Sequence, residues 1–225
     1  MFYIIYLESY LIKIERKGKK MSSSKQSLIE FGNVVKKIRW NRKEFQKEMA
    51  KKLKMTPSVL GKIENGKKAP QPNFLNKVKS AYVLNVMEQI ELYHTLLLYL
   101  IATYEIAMPN NNIINTIILN TEKQNEQELL VRYGKTVEKI RLRRNETPSQ
   151  MRDNLYLGDN VLRLIERGKY KPPQYFNGSL KTTYNLTEKE RLELDTALLE
   201  YLIVLYGIER IKKENEQERE SENDV

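Results

Sequence analysis

Apolar residues recur along much of this chain at intervals of three and four. Phe31, Val34, Val35 and Ile38 predict a helix from Leu28 or Phe31 to about Trp40, with Lys36, Lys37 and Arg39 between them. Phe45, Met49, Ala50 and Leu53 mark one face of a second helix, and Val59, Leu60 and Ile63 one face of a third. The third begins behind Thr56-Pro57, a pair suited to an N-cap followed by proline at the first helical position, and Gly66 ends it. Only three or four residues separate the second and third helices, so a tight turn joins them. Phe74, Leu75, Val78 and Tyr82 predict a fourth helix. A longer fifth runs from near Asn85 to Ala107, and its Leu96, Leu97, Leu98, Leu100, Ile101 and Ala102 are apolar almost all round, which asks for burial on more than one side.

The same pattern returns 102 residues later without a gap. Phe31 to Pro70 aligns with Tyr133 to Pro172, so that Gly32 meets Gly134, Arg39 meets Arg141, Glu64 meets Glu166 and Gly66 meets Gly168. The register continues through Phe74 and Phe176, Tyr82 and Tyr184, Leu84 and Leu186, Glu88 and Glu190, and Leu92 and Leu194. In the second copy Thr147, Pro148 and Gln150 supply an N-cap, a proline at N1 and a capping-box glutamine. The first copy has Phe45 in place of that threonine, so its cap must come from elsewhere. The last helix, from Thr187 or Glu188 to about Tyr206, is closed by Gly207.

A repeat of this length predicts two small helical domains, at 28–107 and 128–207, joined by a linker at 108–127. Within the linker, Pro109 and Asn110 to Asn112 break the helical pattern, and the β-rich run Ile113 to Ile118 is expected to dock its isoleucines on a domain, because a lone short strand has no partner in the repeats. Residues 1–27 form a leader whose opening MFYIIYLESYLIKIERKGKK fits neither a secretory signal nor a membrane span. Two readings of it stand: a short amphipathic or edge element, or residues preceding a true start at Met21. Residues 208–225, with seven acidic and four basic side chains, are expected to fray into disorder. An acidic arm competing with a polyanionic partner for a basic face is the other reading of that tail.

Charge narrows the class of partner. The chain of 225 residues carries a formal charge of +10, and residues 31–80 hold 14 Lys or Arg against 3 Glu, whereas residues 133–182 hold 11 against 5 acidic residues. A polyanion fits, and the first copy is the closer to phosphates. There is no cysteine and a single histidine, so neither disulfides nor the usual zinc sites can form. No phosphate loop, catalytic carboxylate pair or nucleophile–base signature is present, so an enzyme is not expected, nor any cofactor, catalytic residue or bound metal. His94, alone on its helix, reads as a structural or surface residue, and Trp40 as a core or shoulder residue.

The succession of Ile38-Arg39, then Gln46, Ala50 and Leu53, a short turn, LxxIENG ending at Gly66, and a Lys-rich loop to Pro70 resembles the Cro/C1-type (XRE) helix-turn-helix family. The resemblance covers about 140 of the 225 residues, more closely in the first copy. It implies an all-α chain of two tandem five-helix helix-turn-helix domains. It also implies two ion pairs, Arg39 with Glu64 and Arg141 with Glu166, each fixing the first helix to the end of the recognition helix. A largely buried bidentate pair of this kind costs about 3 to 5 kcal/mol to break from one side.

The resemblance assigns Gln46 to a phosphate or base, and puts base-reading positions at Pro57, Ser58 and Lys62, with Thr56 at the capped start. Pro57 has no amide hydrogen and no polar tip, Ser58 is permissive, and Lys62 favours guanine, each good contact being worth roughly 1 to 3 kcal/mol. Phosphate grip and DNA shape then supply much of the affinity. Lys67 and Lys68 in one following loop, and Lys169 and Lys171 in the other, are expected at the sugar-phosphate backbone. Arg42 with Lys43 and Arg143 with Arg144 are either backbone contacts or solvated charge.

In the second copy Pro148 replaces the glutamine, and the equivalent reading positions are Asp159, Asn160 and Leu164, with Arg163 and Arg167 alongside. Asn160 suits adenine, while Asp159 carries the wrong charge except toward a cytosine amino group. Arg152 replaces Ala50 in the crowded angle between the two helices and should widen the pair or swing outward. Tyr156 stands at the turn where the family usually has glycine, as does Lys54 in the first copy. The second copy is therefore either a second DNA reader or a degenerate repeat that dimerises or binds a partner.

These features predict a cytoplasmic regulator that binds double-stranded DNA and represses by occupying its operator, with no membrane association. A homodimer through the long fifth helices and a protein antagonist are candidate partners. The alternative is a phage or mobile-element module whose helix-turn-helix fold binds a protein.

Overall fold

The computed structural model of the chain describes residues 23–107 and 111–211. Among the described residues there are eleven α-helices and no strand. The first five are α1 (Ser24–Asn41), α2 (Gln46–Lys52), α3 (Pro57–Glu64), α4 (Phe74–Ala81) and α5 (Val86–Thr103). After α6 (Asn111–Thr121) come α7 (Glu126–Leu142), α8 (Pro148–Asn154), α9 (Val161–Glu166), α10 (Phe176–Thr183) and α11 (Glu188–Tyr206). The leader through residue 22, with its proposed start at Met21, and the tail beyond residue 211 lie outside the described residues.

Local chemistry explains the boundaries. Ser23 caps α1 by accepting the Gln26 amide at 3.3 Å, so the helix starts before Leu28. Phe45 offers no cap to α2; instead its own amide donates to Glu48 at 2.6 Å, placing a carboxylate in the first turn. Asn85 and Glu88 form a complete capping box at the start of α5, as Thr187 and Glu190 do for α11.

α1 packs along α5, and α7 along α11. Phe31, Leu60, Phe74, Leu92 and Leu96 are fully buried in the first group of helices, and Tyr133, Leu162, Phe176, Leu194 and Leu198 in the second. Gly32 allows α1 to press onto the end of α3: a Cβ there would lie 2.4 Å from the Ile63 carbonyl oxygen. The same approach recurs at Gly134 and Ile165, at 2.2 Å.

Three expectations change. The run Ile113 to Ile118 is helical, not β-rich: Ile114, Ile117, Ile118 and Thr121 recur at helical intervals, α6 packs on α11, and Ile117 and Thr121 are buried. Burial at that spacing overrides β-branched preference. The chain also stays packed beyond Gly207, because Ile208 and Ile211 are buried and Glu209 pairs with Lys79 at 2.7 Å. Gly207 turns left-handed (φ 68°), and the Ile208 amide donates back to Ile203 at 3.0 Å, which folds the apolar residue after the cap onto the core. Finally, the apolar faces of α5 and α11 offered for a homodimer are largely buried within this one chain, since α5 packs on both α1 and α11.

The two groups of helices meet through reciprocal contacts. The turn after α5 reaches α10: the Lys181 ammonium donates to the Glu105 carbonyl at 2.6 Å, Asn177 donates to the Tyr104 carbonyl at 3.2 Å, and Asp195 accepts the Ala107 amide at 2.9 Å. The turn after α11 reaches back to α4, where Glu209 meets Lys79 and Gly207 faces Asn76. Tyr99, Tyr104, Tyr201 and Tyr206 are buried at this junction, with the Lys171 ammonium 6.0 Å from the Tyr104 ring and 5.4 Å from that of Tyr206. Burial first, then the neighbouring Tyr99 phenol, pushes the Tyr206 hydroxyl up to about 12.

Candidate nucleic-acid interface

A short helix can hold side chains toward a partner only if its back is fixed. Behind α3, Arg39 donates from Nε and Nη2 to the two carboxylate oxygens of Glu64, at 2.7 and 3.0 Å, and from Nη1 to the Glu44 carbonyl at 3.0 Å. The hydrogen bond to Glu64 leads the factors that hold the Arg39 guanidinium above its ordinary range. Gln46 adds a third donor to Glu64, at 2.9 Å. Arg141 makes the corresponding bonds behind α9, at 2.7 and 3.1 Å to Glu166 and 2.9 Å to the Glu146 carbonyl.

The turn between α2 and α3 places Lys54 at φ 52°, and Tyr156 occupies the same left-handed position at φ 51°. Thr56 then caps α3 by accepting the Val59 amide at 3.3 Å. Leu60, Ile63 and Glu64 point inward, whereas Thr56, Pro57, Ser58, Lys62 and Asn65 are exposed. The Lys62 carbonyl accepts the amides of both Lys67 and Lys68, at 2.7 and 3.1 Å, which curls the loop back beside α3 with both ammonium groups in solvent. A cleft of about 210 Å³ lined by Lys54, Thr56, Lys68, Asn73 and Lys77 runs between this loop and α4. The surface is open and cationic, suited to phosphate oxygens and a groove edge.

Gln46, expected to contact a phosphate or base, lies instead over Gly61 with its amide committed to Glu64. In the corresponding angle of the second group stand Pro148 and the larger, exposed Arg163.

The α9 side differs from α3 in its first turn. Asn160 adopts a left-handed conformation (φ 64°) with no side-chain cap, and α9 begins only at Val161. The register put Asp159 and Asn160 on the helix; in the structure they precede it, because neither a capping threonine nor a proline at N1 organises that turn. Arg152, displaced from the interhelical angle, reaches outward to Asp153 and Asp159, at 2.6 and 2.9 Å, and so neutralises Asp159. Arg163, Arg167 and Lys169 are exposed, and Leu164 is half-buried. Lys171 is not on this rim: it is half-buried over the junction tyrosines, and burial lowers its ammonium from the ordinary range.

Arg42 and Arg144 are scaffold residues. Arg42 forms a bidentate pair with Glu88 (2.8 and 2.9 Å) and donates to the Ile38 and Val83 carbonyls, tying α1 to α5. Arg144 pairs with Glu190 at 3.1 Å from both nitrogens. The signal was present, since Arg42 and Glu88 each have a counterpart in register. Lys43 stays exposed, and Arg143 lies 3.5 Å from Glu190. His94 is buried within α5, where burial pushes its imidazole down to about 4. Among the described residues no acidic, His or Cys group could hold a metal ion, and no helix is long and apolar enough to cross a membrane.

Residues 38–82 match a helix-turn-helix family model, a stretch that runs from the end of α1 through α2 and α3 to the residue after α4. No curated protein and no solved structure matches the chain.

Proposed function

We propose that this chain is a transcription regulator that binds double-stranded DNA sequence-specifically, represses by occupying its operator, and carries two five-helix helix-turn-helix domains of the Cro/C1 type in tandem. Their bounds in this reading are 24–107 and 126–211, with α6 in the connection. The observation that carries it is the open outer face of α3. Ser58 and Lys62 are presented to a major groove, Thr56 fixes the first turn, Lys67 and Lys68 flank it for the backbone, and the Arg39–Glu64 pair holds it from behind. Arg163, Arg167 and Lys169 take the equivalent part beside α9.

Selection from random duplexes, followed by anisotropy titration across salt, tests this. Log affinity should fall linearly with log salt, and Lys62→Glu should weaken the selected duplex about tenfold or more. Protein that ignores duplex DNA in dilute salt overturns the reading.

One observation favours a second role for the α9 side. Tyr156, Tyr170 and Tyr175, exposed by 94, 46 and 54%, stand in register where Lys54, Lys68 and Asn73 line the cationic cleft beside α3. Exposed tyrosines suit a protein partner. If Arg163→Glu leaves operator affinity unchanged, this surface belongs to such a partner and not to DNA.

A further inference from the structure

The contacts between the two groups of helices have the pairing of a twofold-symmetric interface. Asn76 faces Gly207, where a Cβ would lie 2.8 Å from the Asn76 Oδ1; Glu105 faces Gly178, where a Cβ would lie 2.2 Å from the Glu105 carboxylate. Asn76 and Gly178 are equivalent under the 102-residue register, as are Glu105 and Gly207. Each contact thus joins a fourth helix of one group to the turn after the last helix of the other, and the two contacts exchange partners. Lys79 with Glu209 and Lys181 with the Glu105 carbonyl repeat the exchange.

A head-to-tail arrangement would give only one of each pair, because a heterologous contact does not return to the first unit. Near a twofold axis, moreover, equivalent residues must approach one another. Tyr104 and Tyr206 do so, both beneath the same Lys171 ammonium. The sequence departs from symmetry where it fastens the junction: Asp195, which accepts from Ala107, Asn177 and Lys181, stands opposite Tyr93 in register, and Lys171 opposite Ala69.

We infer that one chain reads an inverted repeat with two non-identical arms, α3 on one arm and α9 on the other, as a covalent counterpart of a symmetric dimer. This rests on the function proposed above. Two motifs related by a twofold rotation can grip one duplex alike only if that rotation coincides with a dyad of the DNA, which inverts one half-site relative to the other. The arms differ because Ser58 and Lys62 face one, and Arg163 and Arg167 the other.

The test uses the full chain and the duplex obtained by selection, together with a version in which the second arm is turned to make a direct repeat. Anisotropy gives affinity, mass photometry gives chains per duplex, and hydroxyl-radical footprinting gives the arms covered. The expected result is one chain covering two arms about one helical turn apart, with binding weakened roughly 10- to 100-fold by turning the second arm. The exposed substitutions Lys62→Glu and Arg163→Glu should each erase protection of a different arm. Equal affinity for inverted and direct arms, protection of one arm only, or two chains per duplex each overturns the inference while leaving DNA binding by α3 intact. Binding to no duplex overturns the underlying function and the inference with it.

Discussion

Gln46 lies directly over Gly61: a Cβ added to the glycine would sit 3.1 Å from the glutamine amide, whose nitrogen donates to Glu64 at 2.9 Å. At the corresponding positions Pro148 has no side-chain amide to give, and an exposed Arg163 stands in place of the glycine, the two lining an open cleft. The two angles differ in what supports the buried carboxylate. Glu64 has three side-chain donor contacts; Glu166 has two.

Gln46→Ala should therefore weaken the fold by about 1 to 2 kcal/mol, the range for a lost hydrogen bond to a charged group that keeps other partners. Urea unfolding monitored by circular dichroism measures it. Were Gln46 chiefly a DNA contact, stability would be unchanged and only operator affinity would fall.

Tyr156 holds a left-handed backbone angle with its side chain 94% exposed. An L-residue with a side chain is strained there, and this side chain gains almost no burial in return. Tyr156→Gly should raise stability by up to about 1 kcal/mol, after the entropy that glycine adds to the unfolded chain is subtracted. A rise in melting temperature checks this; a fall would mean that the tyrosine contributes packing at the turn.

The contacts that the two groups of helices share were legible because their signals are local and doubled. Gly32 and Gly134 both admit a carbonyl, and Arg39 and Arg141 both find their glutamates 25 residues on. The bond from Gln46 to Glu64 has no local signal, because only the fold brings Gly61 beneath the glutamine and leaves its amide free to reach the carboxylate. At α6 the β-branched composition outweighed the helical spacing of Ile114, Ile117 and Ile118. The junction left no local trace: Gly207 meets Asn76 across more than half the chain, and a single glycine or asparagine carries no periodicity that foretells such a partner.

Glu190 gives a pH dependence with a defined sign. Hydrogen bonds from Arg144 are the first cause, and the Thr187 amide assists, in holding its carboxyl down at about 2, against an ordinary value of 4.5. A depressed folded value means that the unfolded chain binds the proton first, so the stabilisation is complete above about 4.5 and is lost as pH falls toward 2. The contribution is about 2 kcal/mol, allowing for screening at the partly exposed Arg144. Unfolding free energies of wild type and Glu190→Gln, measured from pH 7 to 2.5, should differ most at neutral pH and converge in acid. A constant difference would show that the carboxyl titrates normally.

On the proposed function, Lys67 and Lys68 differ from Lys62 in what they recognise. Both extend from a loop whose amides are already bound to the Lys62 carbonyl, and both ammonium groups are exposed beside α3. A loop ammonium in that position neutralises phosphate charge without sensing a base, because release of condensed counterions is independent of sequence. Lys67→Ala with Lys68→Ala should lower the slope of log affinity against log salt by about two and weaken specific and random duplexes in the same proportion. Lys62→Ala should instead narrow the gap between them, by roughly 1 to 3 kcal/mol if it holds a guanine edge. Titration of each variant against both duplexes at several salt concentrations separates the two behaviours. A loss confined to the specific duplex in the loop variant would make Lys67 or Lys68 a reader of bases.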